Sequence, residues 1–251
     1  MHHAYVDQLS SKDSPVHRLD PRTKIACALA YCAIVVSVPM PRWDLLGLCV
    51  PPLCLALALS RLPLRYLLKR CLMLSPLVLT VVIFFPFTNA SGARILTIGP
   101  LAVHAGGLWM SAGIVARFLL TIVAVLMLAC TTPFAMLLRG LARFRVPRLF
   151  IMVLSFLYRY LFVLVDESDR MRRARDSRCP GARGMAMAAP AMLAMLFIRT
   201  YDRSDRVYAA ILARGFDGTV RTVNELAFAA RDGAVAGAFA AYFAAVFLLA
   251  R

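Results

Sequence analysis

The sequence predicts an all-α polytopic membrane protein, with about five transmembrane helices and long cytoplasmic helices, and three observations carry that prediction. Of its 251 residues, 61% are hydrophobic and only 17% charged, with a mean hydropathy of +0.73; a soluble domain carries about a quarter charged residues. Several stretches approach the roughly 20 apolar residues that cross a bilayer core of about 30 Å. The basic residues, which give a net charge of +16, sit mainly at the ends of those stretches.

The chain starts with a polar segment, Met1 to Lys24, that has neither an apolar core nor a small-residue cleavage pattern. The first span is therefore expected to act as its own insertion signal. Asp20 and Pro21 read as a helix N-cap followed by proline at the first helical position. The first span, Ile25 to Pro39, is short, and Pro21 and Thr23 can extend its helix at the start. Trp43 to Ser60 is the second span and Cys71 to Thr88 the third, joined by a loop holding Arg61, Arg65, Lys69 and Arg70. The turn between the first two spans has only Arg42, whereas Arg18, Arg22 and Lys24 precede the first. By the positive-inside bias the amino terminus and the second loop are cytoplasmic. Asn89 to Gly107, with Gly92, Gly99, Pro100, Gly106 and Gly107, is expected outside as a short hairpin-like loop. Leu108 to Thr131 returns the chain to Arg139, Arg143, Arg145 and Arg148.

From Arg139 to Arg231 there are 17 arginines and no lysine. Within this block, the apolar run Leu149 to Val165 is nearly long enough to cross. Crossing would put Arg159 near mid-membrane at about 2.5 to 3.5 kcal/mol or more, so the run is read as a helix on the cytoplasmic side, packed under the spans. The Met-rich run Met185 to Ile198 is too short to cross and is broken by Pro190. Gly233 to Ala250 forms the last span. The expected organisation is one domain: spans over 1–132, cytoplasmic helices over 133–222 and a C-terminal span over 223–251.

Several chemistries find no support. Cys27, Cys32, Cys49, Cys54, Cys71 and Cys130 lie in spans without a CxxC pair and read as small apolar filler. His2 and His3 are adjacent in a tail and lack further ligands, so no metal site is expected. Between Lys24 and Arg139 the only acid is Asp44, whereas ion-coupled carriers place carboxylates at mid-depth. There is no phosphate loop with its lysine, no GxSxG and no HExxH. The positive charges flank apolar segments, which argues against nucleic acid. Met185, Met187, Met192 and Met195 read either as packing under the spans or as an adaptable surface for a partner.

Binding is left to explain the arginines. Arg139, Arg143, Arg145 and Arg148 abut a span and suit anionic lipid, at about 1 kcal/mol each. Two other sites look like helix ends. Tyr201 to Arg214 reads as a helix stopped by Gly215, with Arg214 in its last turn. Asp166 to Arg178 repeats the arrangement, with acids at its start and Cys179, Pro180 and Gly181 to stop it. A literal Ala182, Arg183, Gly184 follows, beyond that expected end. Dipole complementarity alone would account for such arginines at about 0.3 to 1 kcal/mol.

In combination these elements resemble a known family. Leu19 to Lys24 at the first span is one, with Asp20, Pro21, Arg22 and Lys24 at its centre. Val146, Pro147 and Arg148, then Tyr158 to Tyr160 and Phe162, then Arg170 to Arg172 with Ala174 and Arg175, follow in order. The strongest is Ala213, Arg214, Gly215, Phe216, Asp217, Gly218, preceded by Arg203, Arg206, Val207 and Tyr208. The chain is similar to the transmembrane T components of energy-coupling factor transporters, most closely the CbiQ branch. The resemblance implies a non-catalytic scaffold in the bacterial inner membrane that binds no cofactor itself. Its partners would be two ABC-type ATPase subunits, which bind ATP, a substrate-binding membrane subunit, and the lipid bilayer. It implies that Arg214, flanked by Ala213 and Gly215, docks in one ATPase, and that Arg178, with Arg183 as the alternate, docks in the other. The implied substrate is cobalt, with nickel second. A T component serving a vitamin-type substrate, or a stand-alone carrier or channel, is the competing reading.

Overall fold

A computed structural model describes residues 14–39, 42–88, 94–98, 101–144, 146–178, 182–216 and 229–249. The chain divides into two compact units, Met1–Gly140 with Leu226–Arg251, and Leu141–Glu225.

The first unit begins with α1 (Pro21–Ser37), whose start obeys the local chemistry: Asp20 accepts the Arg22 N–H at 2.8 Å and Pro21 occupies the first helical position. The helix stops ahead of Pro39, as the bias against helix before proline requires. The second expected span, Trp43 to Ser60, is present, with a one-residue turn inside it. It consists of α2 (Trp43–Leu48) and α3 (Val50–Ser60), separated at Cys49. Pro51 and Pro52 have no N–H, so the carbonyls four residues before them lose their helical donors. The Tyr242 hydroxyl donates to the Leu48 carbonyl at 2.7 Å in their place, and the Tyr31 hydroxyl donates to the Cys49 carbonyl at 3.0 Å.

α4 (Leu64–Thr88) starts seven residues before the expected span and bends by 48° beyond Pro76. The carbonyl that Pro76 leaves without a donor, on Leu72, accepts the Ser75 hydroxyl at 2.8 Å. The predicted hairpin is present as β1 (Arg94–Ile98) antiparallel to β2 (Leu101–His104), with Ile98 opposite Leu101. Its turn, Gly99 and Pro100, lies outside the described residues. α5 (Ala105–Thr131) is the longest span, α6 (Phe134–Arg143) follows Pro133, and α9 (Ala230–Leu249) ends the unit. The core lies where α1, α2, α3, α5 and α9 meet, around Tyr31, Val35, Cys49, Leu53, Ala124 and Phe243. Gly140 lets α6 approach α1 closely, since a Cβ there would come within 2.7 Å of Ile25 Cδ1.

The second unit is built on α7 (Arg148–Asp176) and α8 (Ala182–Ala213). One expectation needs correction here. Pro190 does not break the Met-rich run: α8 passes through it as one helix of 32 residues. One missing N–H costs a single backbone bond, and the alanines on both sides are the strongest helix formers. α7 itself has no buried residue. Among the described residues, Trp43–Ser60, Gly106–Thr131 and Arg148–Asp176 are long and apolar enough to cross a membrane, and the bent α4 makes up to four. The fold is thus an all-helical multi-pass membrane fold, with the small hairpin as its only described sheet.

Candidate functional site

Arg214 stands at a helix end whose geometry is defined by two backbone hydrogen bonds. α8 ends at Ala213, and Gly215 adopts φ +70°, the left-handed region that favours glycine. The Gly215 N–H donates to the Leu212 carbonyl at 2.9 Å, and the Phe216 N–H to the Ile211 carbonyl at 3.3 Å. These are the two bonds of a Schellman motif, with Arg214 as the C-cap. The Ile211 and Leu212 carbonyls are therefore satisfied by backbone, without the guanidinium folding back over them. Arg214 and Gly215 are both exposed. Asp217 and Gly218, the end of the motif, lie outside the described residues.

Arg178 closes α7 in a turn, its N–H donating to the Arg175 carbonyl at 2.8 Å, and it too is exposed. Cys179, Pro180 and Gly181, expected to stop this helix, lie outside the described residues. Arg183 falls in the first turn of α8, at a helix start instead of a helix end, and its side chain is not among those described. The structure does not bring the two arginine sites together. The 32 residues of α8 span about 48 Å at 1.5 Å per residue, with Arg178 and Arg183 near one end and Arg214 at the other.

α7 and α8 are tied to each other by Glu167, which accepts from Arg199 across the pair and from Arg170 one turn on, at 3.0 Å. The Arg199 guanidinium holds the Glu167 carboxyl below the usual carboxylate range. An open groove of about 720 Å3 runs between the helices, walled by apolar groups such as Phe156, Val163 and Ile211 and edged by Arg203 and Arg206. Of the Met-rich run, Met195 is exposed and Met192 half-buried.

The opening residues of α1 form the second site. Asp232, 1% exposed, accepts the Asp20 N–H at 3.0 Å with one carboxylate oxygen and the Ala229 N–H at 2.9 Å with the other. One side chain thereby caps two helix N-termini, its own as half of a capping box and that of α1. Two positive dipole ends meet where Asp20 and Asp232 supply the negative charge. Lys24 donates to the His17 carbonyl at 3.0 Å and to the Thr131 carbonyl at 3.1 Å, which fastens α1 to the end of α5. Arg22 Nε is 4.0 Å from Asp20 Oδ1.

Sequence reasoning overlooked Asp232 as a capping residue, although an acid in the first turn ahead of an apolar run is a start signal. It also passed over Arg117, the lone charge inside α5, which donates to the Val38 carbonyl at the end of α1. A single arginine in an apolar span is itself a signal, because such a charge needs a partner. No group of three or more metal-ligating side chains occurs among the described residues.

Comparison with known proteins decides the family. A family model described as a cobalt transport protein, CbiQ, matches residues 12–224, which takes in both arginine sites and the start of α1. The chain belongs to the CbiQ family of energy-coupling factor transporter T components. An energy-coupling factor transporter transmembrane protein EcfT of Heliobacterium modesticaldum is 28% identical over 251 residues, covering 92% of this chain and 91% of that protein. The EcfT protein of Thermanaerovibrio acidaminovorans is 31% identical over 226 residues, 83% of this chain and 81% of that protein. A putative ABC transporter ATP-binding protein of Bifidobacterium longum is 29% identical over 251 residues, which cover 94% of this chain but 32% of that protein. As a CbiQ family member the chain is a multi-pass transmembrane subunit of a transporter.

Proposed function

We propose that this CbiQ family chain is the non-catalytic coupling subunit of an ATP-driven importer of the bacterial inner membrane. It passes motion from two ABC-type ATPase subunits, which bind the ATP, to a substrate-binding membrane subunit. α7 and α8 are then cytoplasmic coupling helices and the amino terminus is cytoplasmic, in keeping with the arginines that flank the spans. The observation that carries the reading is the exposed Arg214 at a helix end whose carbonyls are already capped, with a second exposed arginine, Arg178, near the far end of the same helix pair. Two such ends about 48 Å of helix apart suit two separate docking grooves. A guanidinium offers a planar fork for carboxylates or carbonyls in each groove. The B. longum relative supports an ATP-binding partner, because its similarity to this chain occupies only part of a protein with that description.

Arg178 is the favoured first docking residue because it ends a helix, whereas Arg183 begins one. Cobalt is the favoured substrate, in keeping with the family's description, and nickel is kept as the second. The test is co-expression with the ATPase and substrate-binding subunits, followed by co-purification and ATP-dependent cobalt uptake in vesicles. Arg214→Ala is expected to reduce both together while the chain still inserts. Unchanged assembly and uptake would overturn the reading, as would cobalt transport by the chain alone.

A further inference from the structure

The first unit has an open groove of about 1220 Å3 between α1, α3, α5 and α9 that none of the chemistry above uses. Its wall is mostly apolar, including Ala28, Tyr31, Leu55 and Phe239. Four cations, Arg18, Lys24, Arg61 and Arg231, also line it, and no acidic residue does among the described residues. These cations gather at one end. Lys24 bonds the Thr131 carbonyl at the end of α5, and Arg231 donates to the Arg18 carbonyl at 3.1 Å. Arg61 belongs to the same level, because its neighbour Leu62 packs on Cys130, next to Thr131.

The other end of the groove lies near Tyr31 and Tyr242, whose hydroxyls donate to the Cys49 and Leu48 carbonyls. From Arg231 to Tyr242 along α9 is about 16 Å at 1.5 Å per residue, close to the roughly 15 Å depth of one leaflet of the hydrocarbon core. The groove is therefore an apolar trough one leaflet deep with a cationic mouth. A membrane-crossing partner helix would need about twice that length. Lys24 has three N–H donors and uses two of them on carbonyls.

We propose that this groove holds one anionic phospholipid, with an acyl chain along the α3 and α9 walls and its phosphate at Arg18, Lys24, Arg61 and Arg231. The lipid is a structural partner of the bundle.

Cys27 lines the groove and reports its occupancy. The full chain in a neutral detergent is treated with N-ethylmaleimide, and alkylation of Cys27 is followed by peptide-resolved mass spectrometry. Dioleoylphosphatidylglycerol is expected to slow Cys27 alkylation about ten-fold, while dioleoylphosphatidylcholine and inorganic phosphate leave it unchanged. Arg61→Gln, which alters only the mouth, should raise the phosphatidylglycerol concentration needed by about five-fold. Ala28→Trp, which fills the trough without changing charge, should abolish the lipid dependence, and Arg143→Gln, outside the groove, should not alter it. Equal protection by phosphatidylcholine would overturn the proposal, and protection by phosphate alone would reduce the site to an anion site. An Arg61→Gln response equal to that of the parent chain, or a Cys27 already unreactive in lipid-free detergent, would also overturn it.

Discussion

The two units of the chain treat charge in opposite ways. In the first, the carboxylate of Asp232 is buried, and both its oxygens are committed to backbone N–H groups. In the second, Arg178 and Arg214 are exposed at helix ends whose backbone bonds are already made. A buried charge with every partner inside the chain can only hold the fold together. An exposed charge at a finished helix end contributes little to the fold and remains for another molecule. The difference separates structural from docking residues without any appeal to the motif they sit in.

The largest expected effect tests the exposed side of that contrast. Arg214→Ala should weaken ATPase assembly by about 2 to 5 kcal/mol, the usual cost of truncating one member of an interfacial charge pair. The thermal midpoint of the isolated chain in detergent should stay the same, and a large fall there would erase the distinction. Asp232→Ala probes the buried side and should do the reverse. It orphans the buried Asp20 N–H, at about 1 to 3 kcal/mol, and the half-buried Ala229 N–H besides, so unfolding in detergent should shift strongly even without a partner, whereas Asp232→Asn should recover part of the loss.

Gly215→Ala lies between them. It leaves Arg214 in place but puts a Cβ on a φ of +70°, at about 1 kcal/mol. Assembly should fall less than for Arg214→Ala, through misdirection of the guanidinium; an unaltered complex would mean that the cap geometry does not aim it. The smallest effect is expected from Glu167→Gln. Its pairs with Arg199 and Arg170 are solvent-accessible, so the loss should stay below about 1 kcal/mol and shrink further in high salt. Because the carboxyl titrates below its usual range, that small contribution should be present at neutral pH and fade only as pH falls through the lowered value.

Much of this was legible in the sequence, for reasons tied to particular residues. Aspartate and proline at 20 and 21 announce the start of α1, and Gly215 announces the end of α8, because each acts through its own local backbone. Glycine and proline between two short runs announced the hairpin in the same way. What was illegible depends on distant contacts. The carbonyls at the Cys49 turn are bonded by hydroxyls of Tyr31 and Tyr242 from other helices. Pro190 read as a helix break because proline is judged locally, yet the helix continues through it. The double cap by Asp232 joins residues that no window of sequence contains together.

That last contact has a consequence in time. Asp20 and Asp232 are 212 residues apart in the chain. At roughly 5 to 20 residues per second of synthesis, the first helix enters the membrane some ten to forty seconds before the residue that completes its cap exists. During that interval the Asp20 N–H has only water or lipid headgroups to bond. A nascent chain stalled before residue 232 should hold α1 loosely, and release of the last helix should be the event that locks the first.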